Sequence, residues 1–241
     1  MIRATVVTAG GHGARMGSRV PKQYLDLNGL PVLARTLLIF QEHPLVDTIV
    51  LTVPPGDEDF CLREIVLRHN LRKVAEVVAG GADRQASVYR GLERLTHTDL
   101  VAIHDGVRPL VSPEVITRTL QEAERVGAAV AGIPVRETVK KRIGSHLETI
   151  PRSNLWLART PQAFRTGLIV DAHRRALREG FRGTDDAALV ERLGHEVEMV
   201  EDTEENIKIT TPADLAVARI RLSGAADADS PRTSEGWQNG P

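Results

Sequence analysis

Cysteine is almost absent from this chain. Cys61 is the single one in 241 residues, which excludes an intrachain disulfide framework and a Cys-rich zinc site. No hydrophobic run approaches the roughly 18 residues of a membrane span. The apolar run near the start, Ala4 to Val7, is too short for a secretory signal, so the expected location is the cytoplasm and no membrane partner is expected. Net charge is small as well: at −1 the chain lacks the basic excess of a general nucleic-acid binder. Lysine is scarce, with only Lys22, Lys73, Lys140, Lys141 and Lys208 among 31 Lys and Arg residues. That bias reads as genome composition, but it makes each lysine easy to weigh. There is no G-K-[ST], no G-x-S-x-G and no H-E-x-x-H, so a Walker A loop, a nucleophile elbow and a zincin site are all missing. The eight histidines show no ligand spacing, and His12 and His104 read as packing or polar loop residues.

What is present is an alternation of short apolar runs and longer helical patterns. Strands are expected over 2–7, 46–53, 73–79, 100–103 and 128–135. Helices are expected over 31–42, with Pro31 at the start, and over 57–68, 84–95 and a segment that Ser112 caps with Pro113 in its first position. Such alternation predicts an α/β protein with a mostly parallel central sheet, and ligands on such a sheet bind beyond the carboxyl ends of its strands. Two segments break the rhythm. Residues 138–152 alternate around Gly144-Ser145 and predict a β-hairpin arm, placed at about 137–153. Residues 223–241 are polar and rich in Gly, Pro and Ser, and predict a disordered tail behind a single domain spanning 1–222.

The first strand runs into Thr8-Ala9-Gly10-Gly11-His12-Gly13-Ala14-Arg15-Met16-Gly17. Glycines at such a place let backbone N–H groups approach a phosphate. The spacing is not that of the dinucleotide fingerprint, and Val53 leads into Pro54-Pro55 where a dehydrogenase would carry its acidic residue. The loop is long, about twenty residues before the next helix, a length that is usually functional or disordered. It holds two cations, Arg15 and Lys22. Asp105 ends a buried strand, and Lys208 sits in the charge-poor run Ile207-Lys208-Ile209-Thr210.

Together these segments resemble a known family. Gly11-x-Gly13-x-Arg15-Met16-Gly17 followed by Pro21-Lys22-Gln23-Tyr24 is similar to the signature of the 2-C-methyl-D-erythritol 4-phosphate cytidylyltransferases. In the same order come Gly80-Gly81-Ala82-Asp83-Arg84-Gln85-Ala86-Ser87-Val88, then His104 to Pro109, Pro134 to Lys140, and Thr160-Pro161-Gln162. Thr184-Asp185-Asp186 and Asn206 to Thr210 complete the set. The resemblance spans about residues 2–222. Its departures are Gly10 and Gly106-Val107 where the family carries alanines, and Ala82 where an acidic residue often stands, with Asp83 one position later.

The resemblance implies a Rossmann-like nucleotidyltransferase fold with a protruding β-hairpin dimerisation arm. It implies transfer of CMP from CTP to 2-C-methyl-D-erythritol 4-phosphate with release of pyrophosphate, a step of isoprenoid precursor synthesis. Arg15, Lys22 and Lys208 would stabilise charge at the α-phosphate, with Arg152 as a further catalytic cation. Ala9, Gly10, Gly11, Gly13, Gly81, Ser87, Asp105 and Gly106 would hold the nucleotide. Arg108, Thr138, Arg152, Thr160 and Thr184 would hold the acceptor. Thr138 and Arg152, on or beside the arm, would enter the site of the other subunit of a homodimer. Mg²⁺ would ride mainly on the triphosphate, with Asp105 as its protein ligand. Two alternatives stay open: the same chemistry on another polyol phosphate such as ribitol 5-phosphate, and a non-catalytic nucleotide-binding module.

Overall fold

The apolar run near the N-terminus becomes strand β1 (Arg3–Thr8), which is buried on both sides because helices cover both faces of its sheet. Along the chain follow α1 (Val32–Glu42), β2 (Thr48–Val53), α2 (Glu58–Phe60), β3 (Val74–Ala79), α3 (Arg84–Leu92), β4 (Leu100–Asp105), α4 (Pro113–Val126) and β5 (Ala128–Pro134). Next come the hairpin strands β6 (Val139–Ile143) and β7 (His146–Ile150), then β8 (Trp156–Arg165), α5 (Thr166–Glu179), α6 (Ala187–Glu191), β9 (Glu198–Glu201) and α7 (Pro212–Ala228). The computed structural model describes residues 1–11, 16–17 and 20–228, and side chains as far as residue 224. Among the described residues no helix is long and apolar enough to cross a membrane.

Seven strands form one sheet in the order β9-β5-β8-β4-β1-β2-β3. β1 pairs in parallel with both β2 and β4, and β9 pairs in parallel with β5. β8 alone is antiparallel to its neighbours β4 and β5. Successive residues of a strand face opposite sides. Val7, Leu51 and Ala102 accordingly pack under α1 and α4 with Leu37, Phe40 and Leu120, while Val6, Val101 and Ile103 pack under α3 and α5 with Val88, Leu92 and Ile169. The chain order reverses direction at β1, with β2 and β3 on one side and β4 on the other. In such sheets the ligand crevice lies at the carboxyl ends of the strands flanking that point.

Most expected elements are present, with four adjustments. Pro31 caps α1 from the residue before its first turn. The expected helix over 57–68 is α-helical only at Glu58–Phe60 and continues as a π-helix over Cys61–Leu67. β4 runs two residues past Ile103, because His104 and Asp105 pair in register with Val7 and Thr8; His104 is thus a buried strand residue and not a loop residue. The last helix runs to Ala228, six residues past the expected boundary at 222, and Ser223 accepts a hydrogen bond from the Asn28 amide. The hairpin forms over the expected segment, with Gly144 at φ +58° in its turn, and among the described residues β6 and β7 pair only with each other.

Candidate active site

A cleft of about 330 Å³ opens at the carboxyl ends of β1, β2, β3 and β4. Its lining brings together Ala9, Gly10, Gly11, Lys22, Gly81, Ser87, Asp105 and Lys208, residues spread over two hundred positions of sequence. Arg15 and Gly13, like His12, lie outside the described residues.

Asp105 is the electrostatic centre. Its Oδ2 lies 3.0 Å from Lys208 Nζ and 3.0 Å from Arg108 Nε, and its Oδ1 lies 3.3 Å from Arg84 Nε. Burial by itself raises a carboxylate's pKa, but the charges of Lys208, Arg84 and Arg108 outweigh it and hold Asp105 well below the usual carboxylate range. Three cations face Asp105, one of them, Arg84, shared with Asp186, and Lys208 is the most exposed of the three, at 39% of its side chain. Lys22 is buried and donates to the Ile209 carbonyl at 3.1 Å, so both lysines converge on the segment that follows Asn206. That segment is anchored in turn: Arg108 Nη1 donates to the Asn206 carbonyl, Asn206 Nδ2 donates to Asp202 and to the Thr160 carbonyl, and Ile209 N–H donates to the Val107 carbonyl.

The opposite wall is the turn from β3 into α3. Asp83 caps α3 by accepting from Ala86 N–H at 2.8 Å, which gives the displaced acidic residue a local task. Ser87 Oγ donates to the Asp83 carbonyl at 2.8 Å and accepts from Gly81 N–H at 3.0 Å. A Cβ on Gly81 would stand 2.4 Å from Ala86 Cβ, so only glycine lets this turn fold against the helix. At Gly10 a Cβ would meet nothing closer than Ser87 Oγ at 3.5 Å, so an alanine would fit there.

Behind Asp105 lies a chain of neutral hydrogen bonds. His104 Nε2 faces the Arg108 carbonyl at 3.2 Å, which can only accept, so Nε2 carries the hydrogen. Nδ1 then accepts from the Thr160 hydroxyl at 3.1 Å, and the Thr160 oxygen accepts from Asp105 N–H at 3.1 Å. Burial pushes the His104 pKa down to about 3, in keeping with a neutral ring.

The remaining expected site residues divide into two groups. Arg108 and Thr160 are buried, with their polar atoms engaged as described; they brace Asp105 and do not line the cleft. Gly106 packs behind the cleft, its N–H donating to the Thr8 carbonyl, and a Cβ there would stand 2.9 Å from Leu33 Cδ1. Thr138, Arg152 and Thr184 are exposed and lie outside the cleft lining, and Arg152 donates to the Arg136 carbonyl at the base of the arm. Arg84 lines the cleft too, and in the sequence it stands within a quoted motif without an assigned role. It sits at the first position of α3, where a cation opposes the helix dipole, and that misfit was the available signal.

A divalent cation fits this donor set in one way only. Among the described residues no group of three His, Cys, Asp or Glu could cage an ion. Asp105 could serve as a single protein ligand to an ion whose other ligands are phosphate oxygens, with half-exposed Lys208 yielding its place on Oδ2.

The comparisons with known proteins agree on one family. The family described as 2-C-methyl-D-erythritol 4-phosphate cytidylyltransferase matches residues 3–223. The protein of that name from Syntrophotalea carbinolica is 46% identical over 225 residues, which is 92% of this chain and 97% of the relative. Its counterpart from Pelotomaculum thermopropionicum is 48% identical, covering 89% of this chain and 92% of the relative. Among solved structures, a 4-diphosphocytidyl-2C-methyl-D-erythritol synthase from Anaerococcus prevotii superimposes with a TM-score of 0.82 at 30% identity, over 92% of this chain and 96% of that one. The 2-C-methyl-D-erythritol 4-phosphate cytidylyltransferase from Thermus thermophilus superimposes with a TM-score of 0.77 at 34% identity, over 92% and 100%.

Proposed function

The chain belongs to the 2-C-methyl-D-erythritol 4-phosphate cytidylyltransferase family, and from that premise we propose how its cleft transfers CMP from CTP to methylerythritol phosphate. A phosphate oxygen of the acceptor attacks the α-phosphorus of CTP. A new P–O bond forms, the bond to the β-phosphate oxygen breaks in line with it, and pyrophosphate leaves. The attacking phosphate is already ionised at neutral pH, so no general base is required. The remaining task is to hold two polyanions together and to stabilise charge at the reacting phosphorus.

The observation that carries this reading is the convergence of Lys22 and Lys208 beside glycine backbone at the carboxyl ends of β1 and β4. Lys22 and Lys208 act on the α-phosphate, with Arg15 joining them from the glycine-rich loop. The backbone of Ala9, Gly10, Gly11, Gly13 and Gly81 holds the nucleotide, with Ser87 keeping Gly81 in place. Asp105 orients Lys208 and faces the ribose. Asp105 and the triphosphate would hold a bound Mg²⁺, which would neutralise phosphate charge. The acceptor lies toward Thr184, braced by Arg108 and Thr160 through Asp105. Thr138 and Arg152 complete the acceptor site of a second copy of the chain. Support for that last point is the arm itself: among the described residues its β6 and β7 pair with no other strand, and Ile143, Leu147, Trp156 and Leu157 on or beside it are exposed.

The deciding experiment is pyrophosphate release with CTP and Mg²⁺, run in parallel on methylerythritol 4-phosphate and ribitol 5-phosphate. Release with the first acceptor alone is expected. Release with the second alone would keep the cationic mechanism and move the acceptor. Silence with both, while CTP still binds, would overturn the catalytic reading.

A further inference from the structure

Asp186 stands at the far end of an ion-pair chain that begins in the cleft. Arg84 spans two carboxylates: its Nε lies 3.3 Å from Asp105 Oδ1 and its Nη1 lies 2.7 Å from Asp186 Oδ2. On the other side of Asp186, His173 of α5 places Nε2 3.3 Å from Oδ1, and its ring stacks on Tyr89 of α3 with centroids 5.8 Å apart. Asp186 is 1% exposed and His173 is 2% exposed, and neither lines the cleft.

A second route joins the same two points. Asp105 N–H donates to Thr160 Oγ, and two residues further along β8 the Gln162 side-chain oxygen accepts from the backbone N–H groups of Asp186 and Ala187. The turn between α5 and α6 is also tied to α3, because Gln85, next to Arg84, accepts from Gly183 N–H and donates to the Phe181 carbonyl. Thr184 is exposed in that turn, fastened on both sides.

Asp105 is shared with Lys208 and Arg108, so Asp186 completes the charge balance of Arg84. A planar guanidinium gripped at two edges does more, since it fixes the distance between its two partners. We infer that Asp186 is a positioning residue: through Arg84 it sets the turn bearing Thr184 against Asp105, and thereby aligns the acceptor with the nucleotide. The inference rests on the reaction proposed above.

The test is steady-state kinetics of Asp186→Asn with each substrate varied in turn. The amide keeps the volume and removes the charge. We expect kcat/KM for methylerythritol 4-phosphate to fall about 10²-fold, through both a higher KM and a lower kcat, while the KM for CTP stays within about twofold. A purely structural role would lower Tm without separating the two substrates. Should Asp186→Asn not fold, His173→Phe carries the test. It keeps the stacking on Tyr89, removes the nitrogen facing Asp186, and is expected to raise the acceptor KM about 3–10-fold with the CTP KM unchanged. Equal changes for both substrates, or none, would overturn the positioning role. Wild-type protein is assayed first: its failure to turn over this substrate pair overturns the reaction, whereas an active wild type with an unsplit variant overturns the inference alone.

Discussion

Lys208 and His104 show how single residues divide the labour around Asp105. Lys208 is the most exposed cation of the three, so replacing it removes transition-state charge without burying an unpaired group. Lys208→Ala is expected to lower kcat about 10²–10³-fold with little change in Tm, measured by pyrophosphate release and thermal melting. His104 does the opposite work, as a neutral spacer. Its pKa is about 3 in the fold, through burial, and about 6.5 in an unfolded chain. Between those values the unfolded state binds a proton that the folded state refuses. The stability His104 contributes is therefore complete above about pH 6.5 and is lost as pH falls toward 3. His104→Gln should melt lower at pH 7.5, yet lose less Tm than wild type between pH 6.5 and 4. Parallel Tm profiles would show that the ring is not held neutral. At this scale the sequence was legible where a residue's chemistry is unusual for its surroundings, as with Lys208 among isoleucines. Arg84 and Asp186 stood in quoted motifs without a role, because what defines each is a partner far away in the chain. Arg108 and Thr160 were visible as members of motifs, but not as braces whose polar atoms are used inside the protein.

Elements were legible wherever burial on both faces wrote an apolar run, as in β1, β2 and β5. The cap on α4 was equally plain, since Ser112 accepts from Val115 N–H and Pro113 opens the helix as its sequence implies. The π-helical stretch was not. A five-residue return brings Val66 back to the side of Cys61, whereas 3.6 residues per turn would rotate it away, and both residues are buried. The pair was readable only with that geometry in mind. β4 was cut short because His104 and Asp105 are polar, although their ladder with β1 continues. The most exacting element contact is the turn into α3, where Gly81 lies against Ala86. Gly81→Ala is expected to push the first turn of α3 outward at a cost of about 1–3 kcal/mol, read as a raised KM for CTP and a lower Tm. An unchanged KM would place the nucleotide away from this wall.

The whole molecule raises the question of whether one chain suffices. Lys22 lies in the cleft, while Arg152 lies at the base of the arm and outside it. If arms are exchanged, mixing Lys22→Ala chains with Arg152→Ala chains yields one doubly damaged site and one intact site in each mixed dimer. Activity is therefore expected to reappear on mixing, in proportion to the mixed species separated by mass or charge. Mixed dimers without activity would mean that each chain completes its own site.

The arm has a further consequence. A two-stranded hairpin that pairs with no other strand among the described residues is marginal in water. In very dilute protein the chain between Val139 and Ile150 should be cut readily by a protease, and at higher concentration it should be shielded by its neighbour. Specific activity should rise across the same dilution series. One concentration, found once by nicking and once by turnover, would then mark where an isolated polypeptide becomes an enzyme.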